Sequence, residues 1–454
     1  MEARVGPKIA FIGGGSYQWG PKIILDVALN DDLRGCRLVL HDINHEALDD
    51  LFRWGNRAKE LAGSDMILEK SERLDDALEG ADFVVLSIST GGLDAMEHDL
   101  KVPERYGIVQ TVGDTVGPGG LFRALRNIPV VVAIARAMER LCPGAFMINL
   151  TNPMTTLTRA ITKSTSVSCI GLCHELFGTL DMLSSMFSVP EEVLSVRVAG
   201  VNHFIWITEV AVQNRDVTEE AFRRIAEGEA RRIALDHAGR DLDPFINTWG
   251  FRTEMCRSYG YLPAAGDRHL CEFFPGYLQN ERERERLDLR VTTVDLRRKR
   301  LTENRDRVRK MADGEEEIPV QRSREEISDI IAAAWTGQDS VNIVNLPNTG
   351  QLHGLPLGAV VETYGVINGN GASGISFGKL PASLSALIYP HVFNQETIVD
   401  AALTGNKNLA LQAFKNDPLV GSHPQAENIF EEMFSAHEEY LSYFESSSIQ
   451  QASE

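Results

Sequence analysis

Residues 8–15, KIAFIGGG, run from a short apolar, β-rich stretch straight into three glycines. PKIILDVALN follows at helical spacing, with Pro21 suited to a first turn. The unit then recurs. RLVLHD stops at Asp42, ADFVVLSIST runs into Gly91-Gly92, AFMINLTNP ends in Asn149 and Asn152-Pro153, and SCIGLCHE ends in Cys173 and His174. Between them LFRALRNIPVVVAIARAMERL reads as a long helix interrupted at Pro129. Strands alternating with helices predict an α/β fold, a Rossmann-type doubly wound parallel sheet. Such sheets bind ligands beyond the carboxyl ends of their strands, where all of these polar clusters lie.

The pattern changes near residue 195. VRVAGVNHFIWITEVAV reads as strand, turn, strand, and residues 217–335 are largely helical and charged. SVNIVNLPNTGQLHGLPLGAVVETYGVING returns to strands and turns; the tail from Ile388 is helical, with SSSIQQASE frayed at its end. The expected division is a dinucleotide-binding domain over 1–195. A mixed α+β domain over 196–454 completes the active site and supplies the subunit interface. NERERERLDLRVTTVDLRRKRLTENRDRVRK is the one basic block; its mixed signs read as a solvated helical face.

Composition narrows the partners. With 45 basic and 64 acidic residues the formal net charge is −19, which repels nucleic acid and anionic lipid. Six cysteines without a CxxC pair fit a reduced setting better than a disulfide framework. MEARVGPKIAFIGGGSY lacks a signal-peptide core, and no apolar run reaches membrane-spanning length, so the sequence predicts a cytoplasmic protein.

Gly13, Gly14, Gly15 and Ser16 allow backbone N–H groups to approach a pyrophosphate at a helix N-terminus. The usual third glycine of that turn is Gln18 here. Asp42 ends the second strand, where a carboxylate accepts from an adenosine ribose and favours NAD over NADP; Thr90 in STGG joins this cofactor set. Asn152 is placed to hold a substrate hydroxyl, or to cap a helix before Pro153. Cys173 and His174 fit three descriptions: metal ligands, a nucleophile with its base, or two packed core residues. His203 in GVNHF supplies a second imidazole, and thiolate with imidazole suits a borderline divalent metal. A buried Cys and a satisfied core His fit the same letters.

Taken in order, IGGGSY, STGG, VPERYGIVQTVGDTVGPGG, RALRNIPV, NLTNP, GLCHE, GVNHF and NLPNTG…LPLGAVVE resemble glycoside hydrolase family 4 from Lys8 to about Pro381. This family departs from the usual two-carboxylate glycosidases. The resemblance implies NAD and a divalent metal such as Mn²⁺, in a redox-neutral cycle. A sugar carbon is oxidised, the neighbouring proton is removed, the glycosidic oxygen is eliminated, water adds, and the hydride returns. It implies Cys173 and His203 as metal ligands, Asn152 and Asp114 at the sugar, Glu362 as a further acidic position, and a homodimer or homotetramer.

Relatives that act on phospho-sugars carry Asp after the metal Cys; here that position is His174, expected as the acid. The base is expected from SYGYLPAAGDRHLCEFF, with Asp267 first and Tyr259 and Tyr261 as alternatives. Those relatives also place an Arg where this chain has Ala95-Met96-Glu97-His98-Asp99, so phosphate should be repelled. The wording of GLCHELFG is closest to the α-galacturonidase branch. The same family's α-galactosidases, α-glucosidases and α-glucuronidases are alternatives, as is an NAD-dependent hydroxy-acid or sugar dehydrogenase. A uronate carboxylate needs a cation, and Arg123, Arg126 and Arg268 are the candidates.

Overall fold

The computed structural model describes residues 6–238, 245 and 247–444. Among these, thirteen strands form one sheet. They are β1 Lys8–Ile12, β2 Arg37–His41, β3 Ile67–Ser71, β4 Phe83–Leu86, β5 Phe146–Asn149, β6 Ser168–Gly171, β7 Leu194–Val201, β8 Phe204–Val212, β9 Arg215–Asp216, β10 Leu262–Pro263, β11 Ser340–Pro347, β12 Val360–Asn368 and β13 Gly371–Gly374.

The first six strands are parallel, in the order β3-β2-β1-β4-β5-β6. The winding direction therefore reverses between β1 and β4, which opens a crevice at their carboxyl ends. Both faces of these strands are covered. Ile9 and Phe11 pack with Phe83, Val85 and Ile148 on one side; Ala10 and Ile12 pack with Val84, Leu86 and Met147 on the other. Alternating residues of apolar strands thus feed two cores, as a parallel sheet requires. From β6 the sheet continues antiparallel through β11, β12, β7, β8 and β10, with β13 beside β12 and β9 beside β8. The α/β class and the Rossmann-type half are as expected.

The sequence pattern misses one strand and misplaces one break, each for an identifiable reason. ILEKS, the third strand along the chain, carries no apolar run: it is an edge strand with a mostly exposed or half-buried surface. The helix Gly117–Leu141 is not interrupted at Pro129 but runs through it. Proline at 129 cannot donate to the carbonyl of Leu125. That carbonyl instead accepts from the Tyr443 hydroxyl at 2.8 Å, so the C-terminal segment repairs the ladder. The frayed tail SSSIQQASE lies outside the described residues. No helix among those described is long and apolar enough to cross a membrane.

Candidate active site

Strand ends collect the site. After β1, the N–H groups of Gly13 and Gly14 both donate to the carbonyl of His41 (2.8 and 2.9 Å). Gly13 has φ +91°, and a Cβ there would stand 1.8 Å from the carbonyl oxygen of Ser87, so only glycine fits. A Cβ on Gly15 would meet the Asp42 carboxylate at 2.8 Å, and the Gly15 N–H donates to that carboxylate at 2.9 Å. The glycines therefore press the turn against β2 and β4 with no side chain over it, which leaves room for a pyrophosphate close to the backbone. Ser16 Oγ accepts from the Trp19 N–H at the start of the next helix. Thr90, beyond β4, is braced through its N–H and hydroxyl to Asn127 Oδ1.

The reacting groups sit further along the same edge. Asn149, Gly171, Asn345, Glu362 and Gly200 form a row of register partners across β5, β6, β11, β12 and β7. Glu362 Oε2 accepts from Asn202 Nδ2 at 3.1 Å, and burial pushes its carboxyl up to about 7. Asn202 and His203 form the two-residue turn between β7 and β8, and His203 takes φ +64°. That turn delivers the His203 ring to Asp114 and His269, the three offering ligand atoms within 4.8 Å of one another.

Hydrogen bonding sets the state of this triad. The Thr115 hydroxyl lies 2.7 Å from both Asp114 Oδ1 and His203 Nδ1. A hydroxyl that donates to the carboxylate must accept from the imidazole, so Nδ1 carries the proton and Nε2 keeps its lone pair. Burial and the neighbouring His269 push His203 down to about 3, leaving it neutral. Burial works the same way on His269, but Asp114, 3.5 Å from Nδ1, outweighs it and raises the ring. The same attraction overcomes burial at Asp114 and holds its carboxyl well below the usual range. Two rings with centroids 3.9 Å apart are thus pushed in opposite directions. Glu175 closes the ring: burial would raise it, but His269, His203 and His174 hold it at about 2. Thr115→Val removes the group that sets the His203 tautomer. Metal affinity is expected to fall 10–100-fold with little change in melting temperature, read by Mn²⁺ titration.

Asn152 donates to Asp114 Oδ2 at 3.3 Å, and its carbonyl accepts from Arg123 Nε at 3.0 Å. Asp114, Asn152, Arg123 and His203 are therefore brought together. Cys173 is buried at the end of β6 and outside the triad, next to Asn202, Glu175 and Glu362; burial drives its thiol well up.

His174 is not in the cluster. It precedes the helix Glu175–Phe187 with its side chain 46 % exposed, 3.9 Å from Glu325 and against Trp19. Asp267 is a correction. Its carboxylate accepts from the N–H groups of Phe251 and Arg252 and from Arg252 Nε at 3.0–3.3 Å, holding the start of the helix Gly250–Tyr259. A carboxylate so occupied is no base. Tyr259 packs on Trp206 and Phe274, and burial raises its phenol, the wrong direction for a base. The residue of that loop that reaches the site is His269, two positions on.

Two charge expectations also change. Arg126 is spent on Asp99 and on the carbonyl of Thr90. The acids of 95–99 are not bare: Asp99 is paired inside, and Glu97 pairs with Arg298 at 2.8 Å.

Fold and site together define an α/β enzyme of the dinucleotide-fold type with a carboxylate and two buried imidazoles that could hold a metal. Residues 8–189 match the family described as Family 4 glycosyl hydrolase, and 198–420 match the Family 4 glycosyl hydrolase C-terminal domain. The chain belongs to this family. It is 37 % identical over 449 residues to the α-galacturonidase of Thermoanaerobacterium saccharolyticum, covering 95 % of this chain and 96 % of that protein. The crystal structure of lplD from Bacillus subtilis superposes with a TM-score of 0.85 at 36 % identity, covering 94 % of this chain and 99 % of that one. The 6-phospho-β-glucosidase of Thermotoga maritima, solved with manganese, NAD⁺ and glucose 6-phosphate, shares the fold at a TM-score of 0.78 and 23 % identity, over 95 % and 98 % of the two chains.

Proposed function

We propose that the protein hydrolyses unphosphorylated α-galacturonides with NAD and a divalent metal such as Mn²⁺. The observation that carries this reading is the triad of Asp114, His203 and His269 on a dinucleotide fold with a glycine turn: a buried, neutral His203 with a free Nε2 lone pair beside an ionised Asp114. Buried polar atoms around it lack partners among the described residues. Asn152 Oδ1 and Asn202 Oδ1 are two, and they fit a polyhydroxylated guest. The α-galacturonidase relative supports the choice of sugar.

Gly13, Gly14, Gly15 and Ser16 would cradle the dinucleotide, Asp42 would take its ribose and Thr90 would line its path. His203 would hold the metal with Asp114 and His269, and Cys173, beside Asn202, would be a further ligand. When bound, NAD supplies the oxidant for a sugar carbon and the metal a Lewis acid for the adjacent oxygens. Asn152 would orient the sugar beside Asp114, Arg123 would hold Asn152 in place, and the half-exposed His174 would carry the proton for the departing oxygen. Six buried free cysteines support a reduced, cytoplasmic setting, and a homodimer or homotetramer is the expected assembly.

The experiment is release of nitrophenol from its α-D-galacturonide and α-D-galactoside with NAD⁺, Mn²⁺ and a reductant. Cleavage of the galacturonide that stops on adding EDTA and returns with Mn²⁺ is expected. Turnover that survives removal of both metal and NAD, or that accumulates NADH in step with product, would sink the reading; the second outcome describes a dehydrogenase.

A further inference from the structure

Building on the proposed substrate, the basic block holds a group that its mixed charges disguised. Arg297 lies in the first turns of the helix Val294–Asp313. Its neighbour Arg298 points outward and pairs with Asp94 and Glu97. Arg297 points the other way: its electrostatic neighbours are Asp114, Arg268, Arg123 and Glu272. Its Nε and Nη2 are buried and have no hydrogen-bond partner among the described residues, and Arg268 Nε shares that condition.

A buried, unmatched guanidinium edge is costly, and native interiors leave few of them. The vacant atoms are specific. Nε and Nη2 lie on one edge of the guanidinium, with their N–H bonds side by side, and this edge takes both oxygens of a carboxylate at once. The other candidates are already committed. Arg126 is locked to Asp99, Arg123 gives its Nε to the carbonyl of Asn152, and Arg268 gives Nη1 to Thr292 Oγ1 at 3.4 Å while lying over the Phe245 ring. Charge points the same way. Three guanidinium groups face Asp114 and a Glu272 carboxyl that burial pushes up to about 7, so this corner holds surplus positive charge in a chain of formal net charge −19. Long-range attraction cannot bring an anion here; a local fork must hold it.

We infer that Arg297 is the anchor for the substrate's carboxylate: its Nε–Nη2 edge grips the uronate group side-on, Arg268 Nε adds a third donor, and this pair selects hexuronides over neutral hexosides. The inference rests on the proposed galacturonide reading and assigns that reading its specificity residue.

The test compares wild type, Arg297→Lys and Arg297→Gln, each with NAD⁺ and Mn²⁺. Two quantities are read: kcat/KM for nitrophenyl α-D-galacturonide and α-D-galactoside, and the affinity for free D-galacturonic acid, D-galactose and galactose 6-phosphate by calorimetry. Arg297→Lys keeps the charge and loses the fork. It is expected to lower galacturonide kcat/KM and galacturonic acid affinity by roughly 30–100-fold, the scale of charged hydrogen bonds, while the galactoside changes by less than about threefold. A purely structural role would lower both substrates together. Equal losses, or an unchanged preference in both variants, overturn the anchor while leaving the galacturonide reading intact. A wild type that cleaves the galactoside and no uronide removes both. Wild-type preference for galactose 6-phosphate that disappears in Arg297→Lys also overturns it, by showing a phosphate seat.

Discussion

Replacing His203 by asparagine is expected to lower glycoside turnover by about 10³-fold or more while leaving the fold in place. The residue does two separable things. Its backbone takes φ +64° to close the two-residue turn between β7 and β8, and asparagine is among the few side chains that accept that conformation. Its ring supplies the lone pair that the Thr115–Asp114 relay leaves on Nε2. His203→Asn keeps the first and removes the second. Losing a ligand of a Lewis-acid metal forfeits several kcal/mol of charge stabilisation, which is the stated factor in rate. The readouts are steady-state rates, bound manganese and a melting curve. Activity within tenfold of wild type, with metal still bound, would place the ion elsewhere. His203→Ala separates the two roles further: it also loses the turn preference, so its melting temperature should fall below that of the asparagine variant.

The parallel half of the fold was legible because its chemistry is local. A buried parallel strand must be apolar on both faces, so KIAFI, RLVLH and FVVL announce themselves. ILEKS does not, since an edge strand with one weakly covered face needs no such run. Pro129 reads as a break because the residue that repairs its helix, Tyr443, lies more than three hundred positions away. Only the folded chain brings the two together.

The site divides along the same line. Glycines that tolerate no Cβ, a strand-end Asp and a turn His are constrained by their own backbone, so Gly13, Gly15, Asp42 and His203 stand out in the letters. The loop that carries Asp267 does reach the site, but through His269. Asp267 and His269 are both polar and two positions apart, and what separates them is Arg252, which claims the carboxylate from another helix. One signal was available: a short helical turn over 267–270 points residues two apart in different directions. Arg297 was hidden for the opposite reason. It sits among seven further arginines and lysines of the helix Val294–Asp313, and no letter distinguishes the one that faces inward.

Removing the carboxylate of Asp99 is expected to cost about 3–5 kcal/mol of stability, although Asp99 is remote from the Asp114–His203–His269 triad. Asp99 and Arg126 are both fully buried, joined through Nη1 at 2.8 Å and through Nη2, and the Arg126 Nε holds the carbonyl of Thr90. His437 lies 3.0 Å from the same carboxylate, with its ring stacked on Phe122. This one ion pair therefore ties the helix Gly92–Glu104 to Gly117–Leu141 and both to the C-terminal segment. In Asp99→Ala the Arg126 guanidinium keeps its charge, cannot reach water and has lost its counter-ion, which is why breaking a buried pair costs more than the pair contributes. The double variant Asp99→Leu/Arg126→Met removes both charges and fills the space, so it should recover most of the loss. Denaturant unfolding of the three proteins checks this. A single variant within about 0.5 kcal/mol of wild type would mean that water reaches Arg126. A double variant no better than the single would mean that the pair carries the helix packing itself, with Thr90 and the cofactor edge displaced along with it.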